Sequence, residues 1–557
     1  MLEGCVPWPE EFARRYRQLG YWQGITLFQM LRASAARWPD KTAVIDGTER
    51  CSYQALARRS EERAQAYYGL GLRPQERVIF QLGNGLEFLV ALFALLRLGV
   101  IPVMALPAHR KAEISHWVAH AQAVAHFVPP ATEKFDYVAL ARQLAAERPT
   151  IRNIVVAGEP LPASGLLPDE PKADEVALML LSGGTTGVPK LIPRTHDDYV
   201  YNARQTSATS GFSSQTVFLA VLPMGHNYTL ACPGVLGTLA QGGTVVVAQG
   251  TAADAVLATI ERERVSVVAA TVPLVARWLE ADLFARYDLS SLKLFVNGGA
   301  KLQPELRRRV EERFQCEYQE NFGCGEGLIN MTRSGDPAAV RYQSSGRPVS
   351  EADEVKVVDA RGRELPAGQI GELVTRGPYT IRGYYAAPEA NREAFTADGF
   401  YRMGDIARLV DGYIYLEGRR KDLINRGGEK ISCEEIEDYI LAHPGVASVC
   451  VVAMPDRVFG EKACAFVIPR EGCSLTLQEL VAFLEGRHIA RFKLPERLEL
   501  VSEFPISPAG KILRRELRER IAALVSSSSA PAARSSTAAG GLRASRSSSP
   551  PASPGGR

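Results

Sequence analysis

Cysteine is scarce in this chain, and no two cysteines have the CxxC spacing that is typical of zinc sites and dithiol motifs. Nine cysteines are spread over 557 residues, and an odd, sparse set argues against a disulfide framework. We therefore expect a reducing, cytoplasmic environment.

An excess of charge of one sign is also missing. The chain has 65 Lys and Arg against 62 Asp and Glu, a formal net charge of +3. This balance excludes a protein built around nucleic acid or an anionic membrane surface. The small excess belongs to the end of the chain, because residues 526–557 contain no acidic residue but four arginines: Arg534, Arg543, Arg546 and Arg557.

The sequence has no long uninterrupted apolar run and no secretory signal at its N-terminus, which lacks a basic start followed by an apolar stretch. The nearest approach to a membrane span is 88–106, which is broken by Arg97 and Pro102. We interpret it as a buried helix that leads into a buried strand. No membrane partner is expected.

Length and texture predict an α/β protein of more than one domain. Short β-branched runs such as RVIF, TVVVA and LKLFVNGG alternate with helical stretches, which is typical of mostly parallel sheets packed between helices. Short strands and glycine turns predict a small β subdomain at about 351–418. We expect an N-terminal domain over 1–420, a second α/β domain over 421–525, and a disordered tail rich in Ser, Pro, Ala and Gly over 526–557.

The most specific segment is LSGGTTGVPK, which follows the apolar strand VALML. Three glycines, Gly183, Gly184 and Gly187, let backbone N–H groups turn toward an anion. Hydroxyl donors and a positive charge are supplied by the remaining polar residues: Ser182, Thr185, Thr186 and Lys190. The segment is not a GxxxxGK[ST] P-loop. It predicts a polyphosphate site, and a plain surface loop is the alternative.

In order, the chain contains LSGGTTGVPK, LPMGHNY, NGGAK, NFGCGEG, YRMGD, GRRKDLINRGGEK and PISPAGK. This series resembles the adenylate-forming superfamily of acyl-CoA ligases, luciferases and peptide-synthetase adenylation domains, and covers about residues 1–525. The runs GCVPWPEEFARRY, LIPRTHDDYVYN, HNY and INRGGEK are most similar to the stand-alone aryl acid AMP ligases of siderophore synthesis, which activate 2,3-dihydroxybenzoate or salicylate.

The resemblance implies the acyl-adenylate synthetase fold, with a large N-terminal domain and a smaller, mobile α+β C-terminal domain. It also implies two half-reactions. The acid first attacks ATP, giving an acyl adenylate and pyrophosphate. The phosphopantetheine thiol of an aryl carrier protein, supplied in trans, then takes the acyl group and releases AMP.

The resemblance assigns roles to residues in both predicted domains. The loop Ser182 to Lys190 would hold phosphates, Glu326 would hold Mg²⁺, and Lys511 would be the catalytic lysine. The adenine pocket would be formed by Gly298, Gly299, Ala300, Asn321, Phe322 and Gly323. Asp405 would accept the ribose hydroxyls, Arg419 would reach the ribose or phosphates, and Lys421 would be the hinge. Cys324 and Met403 stand where many relatives have threonine.

The HNY motif and two further positions predict the acid. Asn227 is neutral, where amino-acid-activating relatives have Asp, and its amide suits a phenolic 2-hydroxyl. Tyr228 belongs to the same pocket, and His226 is either a gate, and so part of the catalytic set, or a packed core residue. Cys232 and Ile329 stand where dihydroxybenzoate enzymes tend to have Ser and Val. Both are larger, so a 3-hydroxyl would be crowded and unpaired, which favours salicylate.

Three alternatives stay open at this point. In the first, the acid that is activated is 2,3-dihydroxybenzoate instead of salicylate. In the second, free coenzyme A replaces the carrier protein as the acceptor. The third is a nucleotide-binding homologue without catalysis, which the presence of Lys190, Glu326, Asp405 and Lys511 disfavours.

Overall fold

The structure is a computed structural model, and it describes residues 1–133, 135–161, 166–182, 189–419, 422–426, 429–487, 489–507 and 510–528. Its α-helices, in chain order, are α1 (Glu10–Gln18), α2 (Leu27–Arg37), α3 (Tyr53–Gly69), α4 (Leu86–Leu98), α5 (Lys111–Ala121), α6 (Tyr137–Glu147), α7 (His196–Thr209), α8 (Asn227–Ala231), α9 (Gly234–Ala240), α10 (Ala253–Glu263), α11 (Val272–Leu279), α12 (Pro304–Phe314), α13 (Ala338–Gln343), α14 (Pro388–Ala394), α15 (Cys433–Leu441), α16 (Leu477–Glu485) and α17 (Arg514–Ser528).

The strands, again in chain order, are β1 (Thr42–Asp46), β2 (Glu49–Ser52), β3 (Arg77–Phe80), β4 (Ile101–Met104), β5 (Ala125–Val128), β6 (Asn153–Val156), β7 (Val176–Leu181), β8 (Leu191–Thr195), β9 (Val217–Ala220), β10 (Thr244–Val247), β11 (Val267–Ala270), β12 (Leu294–Gly298), β13 (Glu317–Cys324), β14 (Gly327–Met331), β15 (Arg347–Pro348), β16 (Glu354–Val358), β17 (Gly371–Arg376), β18 (Tyr401–Val410), β19 (Tyr413–Arg419), β20 (Leu423–Arg426), β21 (Glu429–Ser432), β22 (Val446–Asp456), β23 (Gly460–Pro469) and β24 (Arg497–Leu500).

Two large sheets form the N-terminal domain. One has the order β15-β14-β13-β12-β11-β9-β10-β1-β2, the other β6-β5-β3-β4-β7-β8. Most inner strands pair parallel, as at β12 with β13. The edge strands pair antiparallel, as at β7 with β8, except for β6, which pairs parallel with β5. This confirms the prediction of mostly parallel sheets packed between helices, because RVIF, TVVVA and LKLFVNGG supply β3, β10 and β12.

Helix α4 lies in a core that both large sheets share, together with Phe80 of one sheet and Val245 of the other. Apart from Glu87 and Arg97 it is apolar, and all of its residues except Glu87 are buried, which fits a helix in the interior. Gly99 ends it with a φ of +72°, in the left-handed region that favours glycine. The interpretation of 88–106 as a buried helix and strand is confirmed. Among the described residues, no helix has the length and apolar character needed to cross a membrane.

Two smaller sheets follow. The order β16-β17-β18-β19 is antiparallel throughout and occupies the segment predicted to be a β subdomain. The last sheet, β21-β20-β23-β22 with β24 on β23, carries α15 and α17 and forms a smaller C-terminal domain. Helix α17 includes 526–528, and the rest of the predicted tail lies outside the described residues. The exact domain boundaries and the mobility stay predictions.

Candidate active site

A hairpin holds the two ends of the predicted phosphate loop together. Leu181 of β7 pairs with Leu191 of β8. Beyond them, the Ser182 amide donates to the Lys190 carbonyl at 2.9 Å, and the Lys190 amide donates to Ser182 Oγ at 2.9 Å. The other loop residues predicted to bind phosphate lie outside the described residues: Gly183, Gly184, Thr185, Thr186 and Gly187. Their role stays a prediction.

Tyr384 joins Lys190 to Glu326. The Lys190 ammonium lies 5.0 Å from the centroid of the Tyr384 ring, and the Tyr384 hydroxyl donates to Glu326 Oε1 at 2.8 Å. The hydroxyls of Tyr384 and Tyr401 are 3.1 Å apart. The predicted phosphate-binding cation and the predicted metal-binding carboxylate are therefore neighbours, although 136 positions separate them in the sequence.

Glu326 lies buried in the turn between β13 and β14, with Cys324 beside it. Burial, and then the carboxylates of Glu326 and Asp405, raise the pKa of the Cys324 thiol well above its usual range. Cys324 is therefore a neutral thiol between two acids. The structure thus brings together the acid predicted for the metal and the acid predicted for the ribose.

Asp405 occupies β18, where it is the antiparallel partner of Arg419 in β19. It is buried, with 9% of its surface exposed. The side chain of Arg419 and the whole of Lys421 lie outside the described residues. The placement fits the predicted ribose-binding role of Asp405 without testing it.

The turn that follows β12 needs glycine at two successive positions. A Cβ on Gly298 would lie 2.6 Å from the Tyr228 ring, whose hydroxyl is fixed by donation to the Val296 carbonyl at 3.0 Å. Gly299 has a φ of +87°, and a Cβ there would lie 3.3 Å from Lys511 Cε. Ala300, which follows, is exposed. The turn predicted to face the adenine ring therefore lies beside the predicted catalytic lysine, and its role in adenine binding stays a prediction.

The NFG segment of β13 contacts Cys232 and Ile329, the two positions that favour salicylate over 2,3-dihydroxybenzoate. Asn321 is the strand partner of Gly298, and its amide nitrogen donates to the Cys232 carbonyl at 2.6 Å. Gly323 pairs with Ile329 in β14, and a Cβ on Gly323 would lie 2.5 Å from Ile329 Cδ1. Phe322 between them is half-buried against the four-stranded sheet. The predicted adenine pocket and the predicted acid pocket therefore share one strand.

Lys511 reaches this site from the C-terminal domain. Besides its contact with Gly299, its charge acts on His226, and burial followed by this charge lowers the pKa of His226 to about 3. His226 is therefore neutral at physiological pH, and its Nδ1 accepts from the Tyr228 amide at 3.2 Å at the start of α8. The His226 side chain is half-buried, which does not decide between the two predictions for it, a gate and a packed core residue.

Ion pairs link the two domains around the site. Lys301, which ends the NGGAK motif, lies 3.6 Å from the carboxylate of Asp438 in α15. Glu280 accepts from Arg309 of its own domain at 3.0 Å and from Arg470 of the C-terminal domain at 2.7 Å. These pairs are partly exposed, so each contributes about 1 kcal/mol at most. They are weak enough to break if the C-terminal domain moves.

The HNY motif forms a buried polar pocket with Cys232. The Asn227 amide oxygen accepts from the Tyr199 hydroxyl at 2.8 Å, and its nitrogen donates to Cys232 Sγ at 3.4 Å. Asn202 also directs an amide N–H to that sulfur, at 3.7 Å. Burial raises the pKa of the Cys232 thiol to about 11. The sulfur is therefore a protonated thiol that two amides face.

Sequence reasoning missed several residues of the site. Tyr199 and Asn202 stand in the run LIPRTHDDYVYN, which contributed only to the resemblance; their spacing of three on α7 places them on one helix face. Thr271 Oγ1 is buried without a hydrogen-bond partner among the described residues, and a Cβ on Gly510 would lie 3.1 Å from it. Tyr384 stands in no motif and gave no signal.

Two family models match the chain. The AMP-binding enzyme model matches residues 31–385, and the AMP-binding enzyme C-terminal domain model matches residues 435–511. The chain belongs to the AMP-binding enzyme family. The predictions of an enzyme, of the adenylate-forming superfamily and of its fold are thereby confirmed.

This AMP-binding enzyme is similar over nearly its whole length to named relatives. It is 46% identical to a 2,3-dihydroxybenzoate-AMP ligase of Bacillus subtilis, over 94% of this chain and 98% of that one. It is 44% identical to a salicyl-AMP ligase / salicyl-S-ArCP synthetase of Mycobacterium tuberculosis, over 93% and 94%. The apo structure of Mycobacterium smegmatis MbtA matches it with a TM-score of 0.70 and 40% identity, over 93% and 99%.

Proposed function

We propose that this enzyme uses ATP and Mg²⁺ to convert an aryl carboxylic acid, with salicylate favoured, to aryl-AMP. It then passes the aryl group to the phosphopantetheine thiol of a carrier protein in siderophore biosynthesis, in the cytoplasm. The observation that carries the proposal is that Lys511 lies beside Gly299 and His226, and His226 directly precedes the neutral amide of Asn227 in the chain. Named relatives that act on salicylate and 2,3-dihydroxybenzoate support it.

In the first half-reaction, a carboxylate oxygen of the acid forms a bond to the α-phosphorus of ATP. The bond from that phosphorus to the bridging oxygen breaks, and pyrophosphate leaves with the electron pair. Lys511 is a point charge that can stabilise both the incoming carboxylate and the charge that develops on the α-phosphate. His226 is neutral beside it, so it does not compete for the negative charge.

The carboxylate of Glu326 fits Mg²⁺. The described residues contain no group of three or more His, Cys, Asp or Glu that could hold a metal by themselves. Mg²⁺ is commonly held by one or two carboxylates together with substrate phosphates. Within the described part of the chain, the Glu326 carboxylate accepts from the Tyr384 hydroxyl, and a carboxylate has further lone pairs that can bind a cation. When bound, the ion would neutralise phosphate charge. Lys190 beside Tyr384 would hold the same phosphates.

The preference for salicylate is supported by the surroundings of Cys232. Two amide N–H groups face its sulfur, so little acceptor capacity remains for a 3-hydroxyl. Ile329 is buried and fills space that valine would leave open. The Asn227 amide carries a second N–H, which can donate to the 2-oxygen of salicylate. A buried 3-hydroxyl without a partner would cost about 1 to 3 kcal/mol.

We expect ATP–pyrophosphate exchange to proceed with a kcat/KM for salicylate that is about tenfold or more above that for 2,3-dihydroxybenzoate. Replacing Cys232 by Ser together with Ile329 by Val supplies a better hydrogen-bond partner and more room. This double variant should reduce the preference to about threefold or less. Cys51→Ser changes a buried cysteine elsewhere in the same domain and should leave the ratio unchanged. A wild-type preference for the catechol would refute the salicylate assignment and favour 2,3-dihydroxybenzoate.

In the second half-reaction, the thiol sulfur bonds to the aryl carbonyl carbon, AMP leaves, and the thiol proton is released. A carrier protein is favoured as acceptor over free coenzyme A because the chain is close to neutral, with no strong excess of basic residues for the 3′-phosphate of coenzyme A. We also propose that Lys421 is the hinge between domains over 1–420 and 421–525.

We expect faster thioester formation from pre-formed salicyl-AMP with a phosphopantetheinylated aryl carrier protein than with coenzyme A at equal concentration. The apo carrier protein, which lacks the thiol, is the control and should accept nothing. Faster transfer to coenzyme A would make the enzyme an aryl-CoA ligase.

A further inference from the structure

Tyr199 is a buried residue of α7 whose hydroxyl contacts Asn227 of the predicted acid pocket. Its hydroxyl donates to Asn227 Oδ1 at 2.8 Å. A side-chain amide has two orientations that differ only by exchange of oxygen and nitrogen. While the Tyr199 hydroxyl donates to this amide, the oxygen points toward Tyr199 and the nitrogen toward Cys232.

The ring of Tyr199 packs on the side chain of Arg194. The Arg194 guanidinium carbon lies 4.7 Å from the ring centroid. Arg194 donates to Asp198 at 2.7 Å, and Asp198 in turn accepts from the Thr195 amide at 2.7 Å. All of these side chains are buried. A ring packed on a paired guanidinium keeps its hydroxyl in one place.

Arg194 also connects α7 to the segments that contain Glu326 and Tyr379. It donates to the Gly325 carbonyl at 2.9 Å, next to Glu326, and to the Tyr379 carbonyl at 3.2 Å. The Tyr379 hydroxyl accepts from the Ile329 amide at 3.2 Å. The position of Tyr199 is thus set by the same residues that support the metal-binding turn and the strand of Ile329.

We propose that Tyr199 is a specificity-positioning residue, which orients the Asn227 amide so that its nitrogen donates to the 2-oxygen of the acid. The proposal rests on the proposed function, since it concerns how a 2-hydroxybenzoate is distinguished from benzoate. The 2-hydroxyl of salicylate can donate an intramolecular hydrogen bond to its own carboxylate. Its oxygen can then accept a hydrogen bond from a donor of the protein. An amide that presents its oxygen instead would face that atom with a second acceptor.

The test is Tyr199→Phe, which keeps the ring on Arg194 and removes only the hydroxyl. In ATP–pyrophosphate exchange, the KM for salicylate should rise about tenfold, while kcat at saturating salicylate and the KM for ATP stay within about twofold. The KM for benzoate, which has no 2-oxygen, should be unchanged. Tyr201→Phe removes a buried hydroxyl from the same helix, bonded to Ser350 at 2.7 Å, and should change neither acid.

A double-mutant cycle separates positioning from general packing. In an Asn227→Ala background, Tyr199→Phe should have no further effect on the salicylate KM, because the group that it orients is gone. Equal losses with salicylate and benzoate, or additive effects in the cycle, would overturn the proposal. If no 2-hydroxybenzoate supported pyrophosphate exchange by the wild-type enzyme, the proposed function itself would be refuted, whatever the variants do.

Discussion

Lys511→Ala should lower the rate of aryl adenylate formation by about 100-fold or more, measured as salicylate-dependent ATP–pyrophosphate exchange. Lys511 Cε lies against Gly299 and its charge reaches His226, so this residue brings a cation from the C-terminal domain to the turn after β12. In the proposed mechanism, alanine removes the positive charge that stabilises the carboxylate and the α-phosphate as they react. The loss should be mainly in kcat, because the charge is needed most in the transition state.

The backbone contacts between Ser507 and Lys511 should persist in the alanine variant. The Ser507 amide donates to the Lys511 carbonyl at 2.7 Å, and the Lys511 amide donates to Ser507 Oγ at 3.1 Å. Neither bond uses the lysine side chain, so both persist when it is removed. Lys462→Ala, which removes a lysine paired with Asp456 in the same domain, is the matched control and should stay within about twofold of wild type. If wild type and Lys511→Ala were equally inactive, the chain would be a nucleotide-binding homologue without catalysis.

Glu326→Gln should lower pyrophosphate exchange by about 100-fold at millimolar Mg²⁺, and the Mg²⁺ concentration for half-maximal rate should rise. Glutamine keeps the shape of the side chain, and its amide oxygen can still accept from the Tyr384 hydroxyl. Only the negative charge is lost, so a change in the Mg²⁺ dependence reports on metal binding rather than on packing. A titration of rate against Mg²⁺ for both proteins is the measurement.

The control for this change is Glu312→Gln, an exposed acid on α12, which should leave the Mg²⁺ dependence as it is. A Glu326→Gln enzyme with reduced rate but a normal Mg²⁺ titration would show that Glu326 acts through Tyr384 and the turn instead. Full activity would remove Glu326 from the site.

Much of the fold could be predicted from local sequence. RVIF and TVVVA became the buried strands β3 and β10, because an apolar β-branched run is stable only where both faces are covered. The helix over 86–98 followed from an apolar run too short and too interrupted to span a membrane. Glycine turns and alternating strands located the four-stranded sheet for the same local reason.

The candidate site was predictable only where a motif carried it. Lys511, Glu326 and Asp405 came from the resemblance of their motifs, and the structure brings Glu326 and Asp405 close enough to Cys324 for both carboxylates to raise its pKa. Tyr384 was not predictable, because a single tyrosine has no local pattern that reveals which carboxylate it will meet. Tyr199 and Arg194 stood in a quoted run, but their roles depend on the partners Asn227 and Gly325, far away in the chain.

The sequence by itself thus determined which chemistry is possible: a glycine and hydroxyl loop for phosphate, acids for metal and ribose, a neutral amide for the acid, and a lysine near the C-terminal end. Only the tertiary structure decided which groups meet. It placed Lys511 over Gly299, and it placed two amides on the sulfur of Cys232. The physical reason is that residue type and local pattern fix hydrogen-bonding capacity and backbone freedom, whereas the pairing of donors with acceptors depends on how strands, helices and the two domains pack.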